Sequence, residues 1–281
     1  MRVIAPGKLV LTGAYAVLEG APAIVVAVDR YASAEVGAPD DVEVRALHDD
    51  AGRKLGLGSS AASLVASQAA RVVARGDDPR DALVRARLFR GAREAHARQQ
   101  SGGSGVDVAA SVHGGALRYA IEGADVILRT VALPPGLVLA AYWSGTSART
   151  SDLRARVDAH RARDPGALAP LHEVAARAAA SVDAGDAGAF VAAARDYGRG
   201  LDALGHAADA PIVPMAFLEL SFVAEAEGGA FLPSGAGGGD VAVWLGTASP
   251  SAAFAARAEA RSMRPLGLSV DHGGVRIHSP S

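Results

Sequence analysis

Of the 28 basic residues in this chain, only Lys8 and Lys54 are lysines, and each stands in a glycine-rich setting. Arginine presents a wide, rigid fork, whereas lysine is a compact point charge that fits a crowded phosphate pocket. Three stretches carry the same suggestion. They are Ala5-Pro6-Gly7-Lys8, Leu55-Gly56-Leu57-Gly58-Ser59-Ser60-Ala61-Ala62, and Pro233-Ser234-Gly235-Ala236-Gly237-Gly238-Gly239-Asp240. The middle one runs into an apolar-periodic segment that reads as a helix. A glycine loop opening a helix offers free N–H groups and the positive end of the helix dipole to an anion. Glycines let the backbone approach closely, and the serines add hydroxyl donors or a metal ligand. Together the three stretches point to ATP handling.

Phosphoryl transfer is mostly positioning and charge neutralisation, so the site also needs a cation and an oriented acceptor. Asp107 follows a Gly/Ser loop and opens a short helix. There it could accept the proton of an attacking oxygen or form a charge network with Lys8. The competing reading makes Asp107 a helix cap, as it does for Ser59 or Ser60. Ser147 and Arg149 are candidates for gripping a substrate phosphate, since arginine suits bidentate contact. An exposed arginine at a helix start is the alternative for Arg149. His96 and His113 read as helix or turn residues rather than ligands. No His/Asp/Glu spacing resembles a metal cage, so Mg²⁺ would bind chiefly through phosphate oxygens and water.

These residues need a scaffold, and the composition allows one. The chain has 281 residues, half of them hydrophobic, enough for two domains or one large one. The net charge of −2 provides no field for nucleic acid or an anionic membrane. The absence of cysteine excludes disulfides and thiolate metal sites and fits a cytoplasmic protein. No apolar run approaches the ~18 residues that span a bilayer, and the N-terminal residues lack the apolar core of a signal peptide. The expected partner is a small molecule, with the chain a monomer or homodimer.

Val3-Ile4 and Leu9 to Leu11 read as strand pieces broken by Pro6-Gly7. Ala23 to Val28 and Tyr31 to Val36 read as strands joined at Asp29-Arg30. Pro39 to Asp50 is charged and poorly periodic. Helices are predicted over Ser59 to Arg75, over Arg80 to Arg98 and from Asp107. Strands follow at Ala116 to Ile121, Val126 to Val131 and Leu137 to Tyr142. The second half predicts helices over Ala167 to Ala184, Ala187 to Leu204, Ile212 to Glu227 and Ser251 to Ser262. Strands are expected at Val241 to Leu245 and Gly267 to Val270. Mixing without strict βαβ alternation favours α+β. The domain boundary is placed near Thr146 to Asp152, giving 1–148 as an ATP-binding domain and 149–281 as a second domain.

In order and context, Ala5-Pro6-Gly7-Lys8-Leu9, Gly-Leu-Gly-Ser-Ser-Ala at 56–61 and Ser-Gly-Ala-Gly-Gly-Gly-Asp at 234–240 resemble the three motifs of the GHMP small-molecule kinases. The resemblance covers most of the chain. It implies a two-domain fold: an N-terminal domain like the second domain of ribosomal protein S5, and a C-terminal ferredoxin-like domain. It implies ATP and Mg²⁺ as cofactors, and the stretches 95–110, Gly114-Gly115 and 143–150 resemble those members of the family whose acceptor is itself phosphorylated. Lys8 and Asp107 then become catalytic. Lys54, Gly56, Leu57, Gly58, Ser59, Ser60 and Ala61 bind the nucleotide, with Ser60 the Mg²⁺ ligand. Tyr15, Ser104, Ser147, Arg149, Ser234, Gly235, Ala236, Gly237 and Gly238 bind the acceptor. An unphosphorylated acceptor, or a non-catalytic binding module on the same fold, stays open.

The chain departs from the pattern in two places. The family places an acidic residue after the glycine in motif one, where this chain reads Gly13-Ala14-Tyr15. The span from Val36 to Lys54 is also short, so either the adenine subsite is pared down or a stretch is missing there. No adenine-contacting residue is named.

Overall fold

The computed structural model describes residues 1–100, 102–147 and 150–278. The elements run β1 (Arg2–Thr12), β2 (Ala23–Glu35), β3 (Ala38–Glu43), α1 (Ser59–Ala74), α2 (Ala82–Gln99), α3 (Val106–His113), β4 (Ala116–Glu122), β5 (Asp125–Val131) and β6 (Val138–Trp143). They continue with α4 (Thr150–Arg161), α5 (Ala169–Ala184), α6 (Ala187–Ala207), α7 (Met215–Ala226), β7 (Ala230–Pro233), β8 (Val241–Gly246), α8 (Ala252–Ala260), β9 (Arg264–Leu266) and β10 (Arg276–His278). The class is α+β, as expected.

The chain forms two compact units. One comprises Met1–Leu9, Val25–Leu117 and the segment from Leu268 onward; the other comprises Val10–Ile24 and Arg118–Gly267. Neither is one continuous stretch.

In the first unit, β1 lies between β10 and β2, and β3 pairs with β2. Three expectations are corrected here. Pro6-Gly7 does not break β1, which runs unbroken from Arg2 to Thr12. Proline's fixed φ and missing donor are compatible with a strand position whose N–H needs no partner. Asp29-Arg30 is no turn either. β2 passes straight through because Asp29 pairs elsewhere: its N–H donates to Ser269 O, and its carboxylate accepts from Ser269 N. Gly267 to Val270 forms no strand, only an isolated bridge from Val270 to Val28. The charged segment after Val36 holds a strand, β3, which periodicity missed because it is mostly exposed on both faces.

A carboxylate anchors the C-terminal segment. Asp271 is buried and accepts from Tyr31 Oη (2.8 Å), from both Arg276 terminal nitrogens (3.1 and 2.8 Å) and from the N–H groups of Gly273 and Gly274. Asp271→Ala is expected to destabilise the protein by about 3 kcal/mol. That is the low end for breaking a buried ion pair, because Arg276 and Tyr31 can partly rehydrate. The urea midpoint at constant m-value measures it.

His113, the last residue of α3, packs edge-on to Phe89 and leaves Nε2 buried without a partner among the described residues. Burial first, and Arg85 second, push it down to about 4 from an ordinary 6.5. The folded protein therefore keeps the ring neutral while the unfolded chain takes up a proton. Stability from this residue is full above pH 6.5 and is lost as the pH falls from there to about 4. His113→Phe should flatten the decline in urea midpoint between pH 7 and pH 4.5.

The second unit carries an antiparallel sheet in the order β7-β8-β6-β9. One face holds Tyr142, Phe217, Phe231, Trp244 and Phe254 in edge-on contacts, with centroids 4.7–6.0 Å apart. β8 is buried along its whole length, which places the glycine loop before it on a rigid support. α4, β7 and β9 were absent from the sequence-based elements.

Candidate functional site

In the first unit, the central glycine loop delivers α1. Gly58 is its N-cap with φ +76°, and no side chain caps the helix. The first intrahelical bond is Ala62 N to Gly58 O at 3.0 Å. Ser59, Ser60 and Ala61 therefore lie inside the first turn, and no described bond takes their N–H groups. A helix of 16 residues with an uncapped, glycine-led start is an anion site in the making. The serines do not cap it.

Lys8 reaches this turn from β1. Its N–H donates to Leu57 O at 2.9 Å, which fixes the strand against the loop. A Cβ on Gly7 would sit 2.7 Å from Leu57 O, so only glycine permits this approach. The Lys8 side chain is only 7% exposed, and its Nζ lies 3.5 Å from Gly56 O and 3.9 Å from Asp107 Oδ1. Gly58 leaves room for it, since a Cβ there would meet Lys8 Cγ at 3.1 Å.

Asp107 stands in the first turn of α3, with Gly105 as the N-cap. It is not the cap, and its carboxylate is one-third exposed. Ser111, fully buried, donates to Pro6 O at 2.7 Å and ties α3 to β1. Ser104 Oγ accepts from Val106 N at 3.3 Å. Leu57 is buried in the core and supports the loop. Lys54 is exposed, its backbone bridged to His48, and no described contact ties its ammonium to the glycine turn.

Gln100 of this cluster escaped sequence reasoning, and His96 entered it only as a helix or turn residue. Gln100 Nε2 donates to Ser60 Oγ at 3.2 Å and lies 3.1 Å from His96 Nε2. One amide serving both requires His96 Nε2 to accept, hence a neutral ring protonated at Nδ1, a tautomer assigned from the network. Burial lowers the proton affinity of His96 and Asp107 partly restores it. The i, i+4 spacing of His96 and Gln100 was the available signal, since it puts both on one helix face.

The second unit holds its own cluster. The loop 234–240 is pinned by Val10 N to Ser234 Oγ (2.9 Å), Tyr15 Oη to Ala236 O (2.6 Å), Gly238 N to Ile212 O (2.8 Å) and Asp240 N to Thr146 O (2.9 Å). A Cβ on Gly237 would fall 2.1 Å from Ile212 O. Ser147 is exposed close by in sequence. Arg149 lies outside the described residues. Ala14, which stands where an acidic residue was expected, gives its carbonyl to buried Tyr197 Oη at 2.6 Å. Burial raises the proton affinity of both tyrosines, with Asp158 adding to it at Tyr15, so both stay donors.

No protein-family model matches the chain. A phosphomevalonate kinase from Streptomyces sp. (strain CL190) is 29% identical over 86% of this chain and 88% of its own length. That alignment spans 336 positions against 281 residues here, so the relative carries residues this chain lacks. Among solved structures, Streptococcus pneumoniae phosphomevalonate kinase in complex with phosphomevalonate and AMPPNP superposes with TM-score 0.80 at 16% identity, covering 96% of this chain and 99% of that one.

The chain has the GHMP small-molecule kinase fold.

A Lin0012 protein from Listeria innocua shares it at TM-score 0.85 and 22% identity, covering 99% of both chains. The GHMP resemblance thus holds over nearly the full length. The three glycine motifs occupy the loop, strand and helix-start positions just described.

Proposed function

We propose that this chain is an ATP-dependent kinase that transfers the γ-phosphoryl group to 5-phosphomevalonate, giving 5-diphosphomevalonate and ADP on the mevalonate route to isoprenoids. The observation that carries this reading is the meeting, within one unit, of the uncapped α1 turn, the Lys8 ammonium and the Asp107 carboxylate. Kinship with a phosphomevalonate kinase supports the choice of acceptor.

The first-turn N–H groups of Ser59, Ser60 and Ala61 would hold phosphate oxygens of ATP without rearrangement. Lys8 would offset negative charge on the transferring group from a water-poor position, where charge acts strongly. Asp107 would hold the ammonium in register and take a proton from the fraction of acceptor that arrives protonated. A phosphate monoester loses its second proton near pH 6, so at neutral pH most of the acceptor needs no base. The backbone of the 234–240 loop would receive the acceptor's phosphate, with Ser147 and Arg149 as further candidates. Mg²⁺ bound with the nucleotide would neutralise phosphate charge. Among the described residues no group of three His, Asp or Glu could hold a metal. Ser60, whose hydroxyl keeps a lone pair after accepting from Gln100, suits a metal held mainly by phosphate and water. No helix among the described residues is long and apolar enough to cross a membrane, and we place the enzyme in the cytoplasm.

An ADP-release assay with 5-phosphomevalonate and with mevalonate tests this. Turnover of 5-phosphomevalonate is expected. An absolute preference for mevalonate rejects the acceptor assigned here. Binding of ATP–Mg²⁺ with neither acceptor consumed makes the chain a non-catalytic module.

A further inference from the structure

Tyr15 has an unusual backbone for an aromatic residue, with φ +64° and ψ −57°. Ala16 N donates to Ala14 O across it at 2.8 Å, which makes Tyr15 the centre of a strained γ-turn. Side chains other than glycine persist in such conformations only where surrounding structure over-determines them, and such sites cluster where function needs them. Here three features hold the turn. Gly13, at φ +95°, packs so closely on Ala23 that a Cβ would lie 2.4 Å from its Cα. The Tyr197 hydroxyl is bonded to Ala14 O, and Val17 N donates to Gly13 O at 3.0 Å. The turn delivers the Tyr15 hydroxyl to Ala236 O at 2.6 Å, in the middle of the third glycine loop.

The carbonyl it holds is a telling one. In a trans peptide the N–H of the next residue points opposite to the C=O. Pinning Ala236 O toward Tyr15 therefore turns the Gly237 N–H to the other side, and no described bond occupies that N–H. Gly237 sits at φ +77°. Glycine tolerates both signs of φ, so this peptide plane could flip at little cost if nothing held it. The flipped plane would present a carbonyl oxygen where the N–H had been, and a carbonyl repels an anion.

We propose that Tyr15 is a positioning residue: its hydroxyl locks the 236–237 peptide so that the Gly237 N–H faces a phosphate oxygen of the acceptor. The functional half rests on the kinase reading above. The mechanical half stands on the turn and the bond alone. Tyr15 thus does not touch the acceptor, unlike a direct ligand.

Tyr15→Phe removes only the oxygen. Losing one hydrogen bond that biases a two-state plane should raise the KM for 5-phosphomevalonate about five- to tenfold, with a smaller change in kcat and none in the KM for ATP. In the free protein, the carbonyl-carbon shift of Ala236 and the amide relaxation of Gly237 should change on substitution. If both are as in the wild type, the proposal is overturned. A KM rise with those signals unchanged makes Tyr15 a direct ligand and overturns it equally. If the wild type turns over no acceptor, the kinase reading falls while the free-protein signals still judge the lock. Should Tyr15→Phe fail to fold, the wild type decides. A slowly exchanging Tyr15 hydroxyl proton with a through-space contact to Ala236 supports the lock, and its absence overturns it.

Discussion

Asp107→Asn should lower kcat about 100-fold and leave the KM for ATP within about threefold. Asparagine keeps the shape and the helix start, since Gly105 and not Asp107 is the N-cap of α3. What disappears is the charge 3.9 Å from Lys8 Nζ. At that separation the pair interacts by Coulomb attraction rather than by a hydrogen bond, so its main effect is to hold the ammonium in place. The low end of the usual 10²–10⁴ range for an acid–base group is expected, because the phosphate of the proposed acceptor is mostly ionised at neutral pH. The loss should therefore deepen below pH 6, where more acceptor arrives protonated and the missing base matters. Steady-state kinetics from pH 5.5 to 8 check both parts. A uniform loss across that range assigns Asp107 to charge alignment only. An unchanged kcat removes it from the site.

Lys8→Met should separate activity from stability. Lys8 is almost fully buried, yet among the described residues its ammonium has only a distant carboxylate and a carbonyl at 3.5 Å as partners. A buried cation so thinly compensated costs the folded state free energy, and an unbranched apolar side chain of similar length relieves that cost. Asp107 is one-third exposed and can hydrate once its partner is gone. The melting temperature should therefore hold or rise, while kcat/KM falls about 10²- to 10³-fold through loss of a preorganised charge. Thermal melts beside initial rates test this. Activity and melting temperature falling together would make Lys8 a structural residue.

Much of this site was legible in the chain itself. The glycine loop at 56–58 followed by serines marks a helix start, because glycine alone takes positive φ freely and the apolar repeat begins at once. Gly105 before Val106 to His113 gives the same signal for α3. The helices α1, α2, α5 and α6 follow from their apolar periodicity to within a few residues. The second-unit motif at 234–240 announces a tight approach by its four glycines. In each case the preference is local, set by the dihedral freedom of one or two residues and by the spacing of apolar neighbours.

Other features were not legible, and the reasons differ. Periodicity cannot see β3, whose two faces are both mostly exposed. Pro6-Gly7 and Asp29-Arg30 have the composition of breaks. Whether they break a strand depends on which backbone groups find partners far away, Leu57 O for Lys8 and Ser269 O for Asp29.

The amino-acid sequence by itself determined where backbone could bend, where helices could begin, and which ions and hydroxyls stood at those points. Only the tertiary structure decided that Lys8, the turn at 57–59 and Asp107 meet. These segments are about fifty residues apart from one to the next, and strand pairing and burial, not spacing, close such distances. The conformation of Tyr15 belongs to the same class, since positive φ at an aromatic residue is locally unfavourable and is held by the contacts of Gly13, Tyr197 and Ala236 around it.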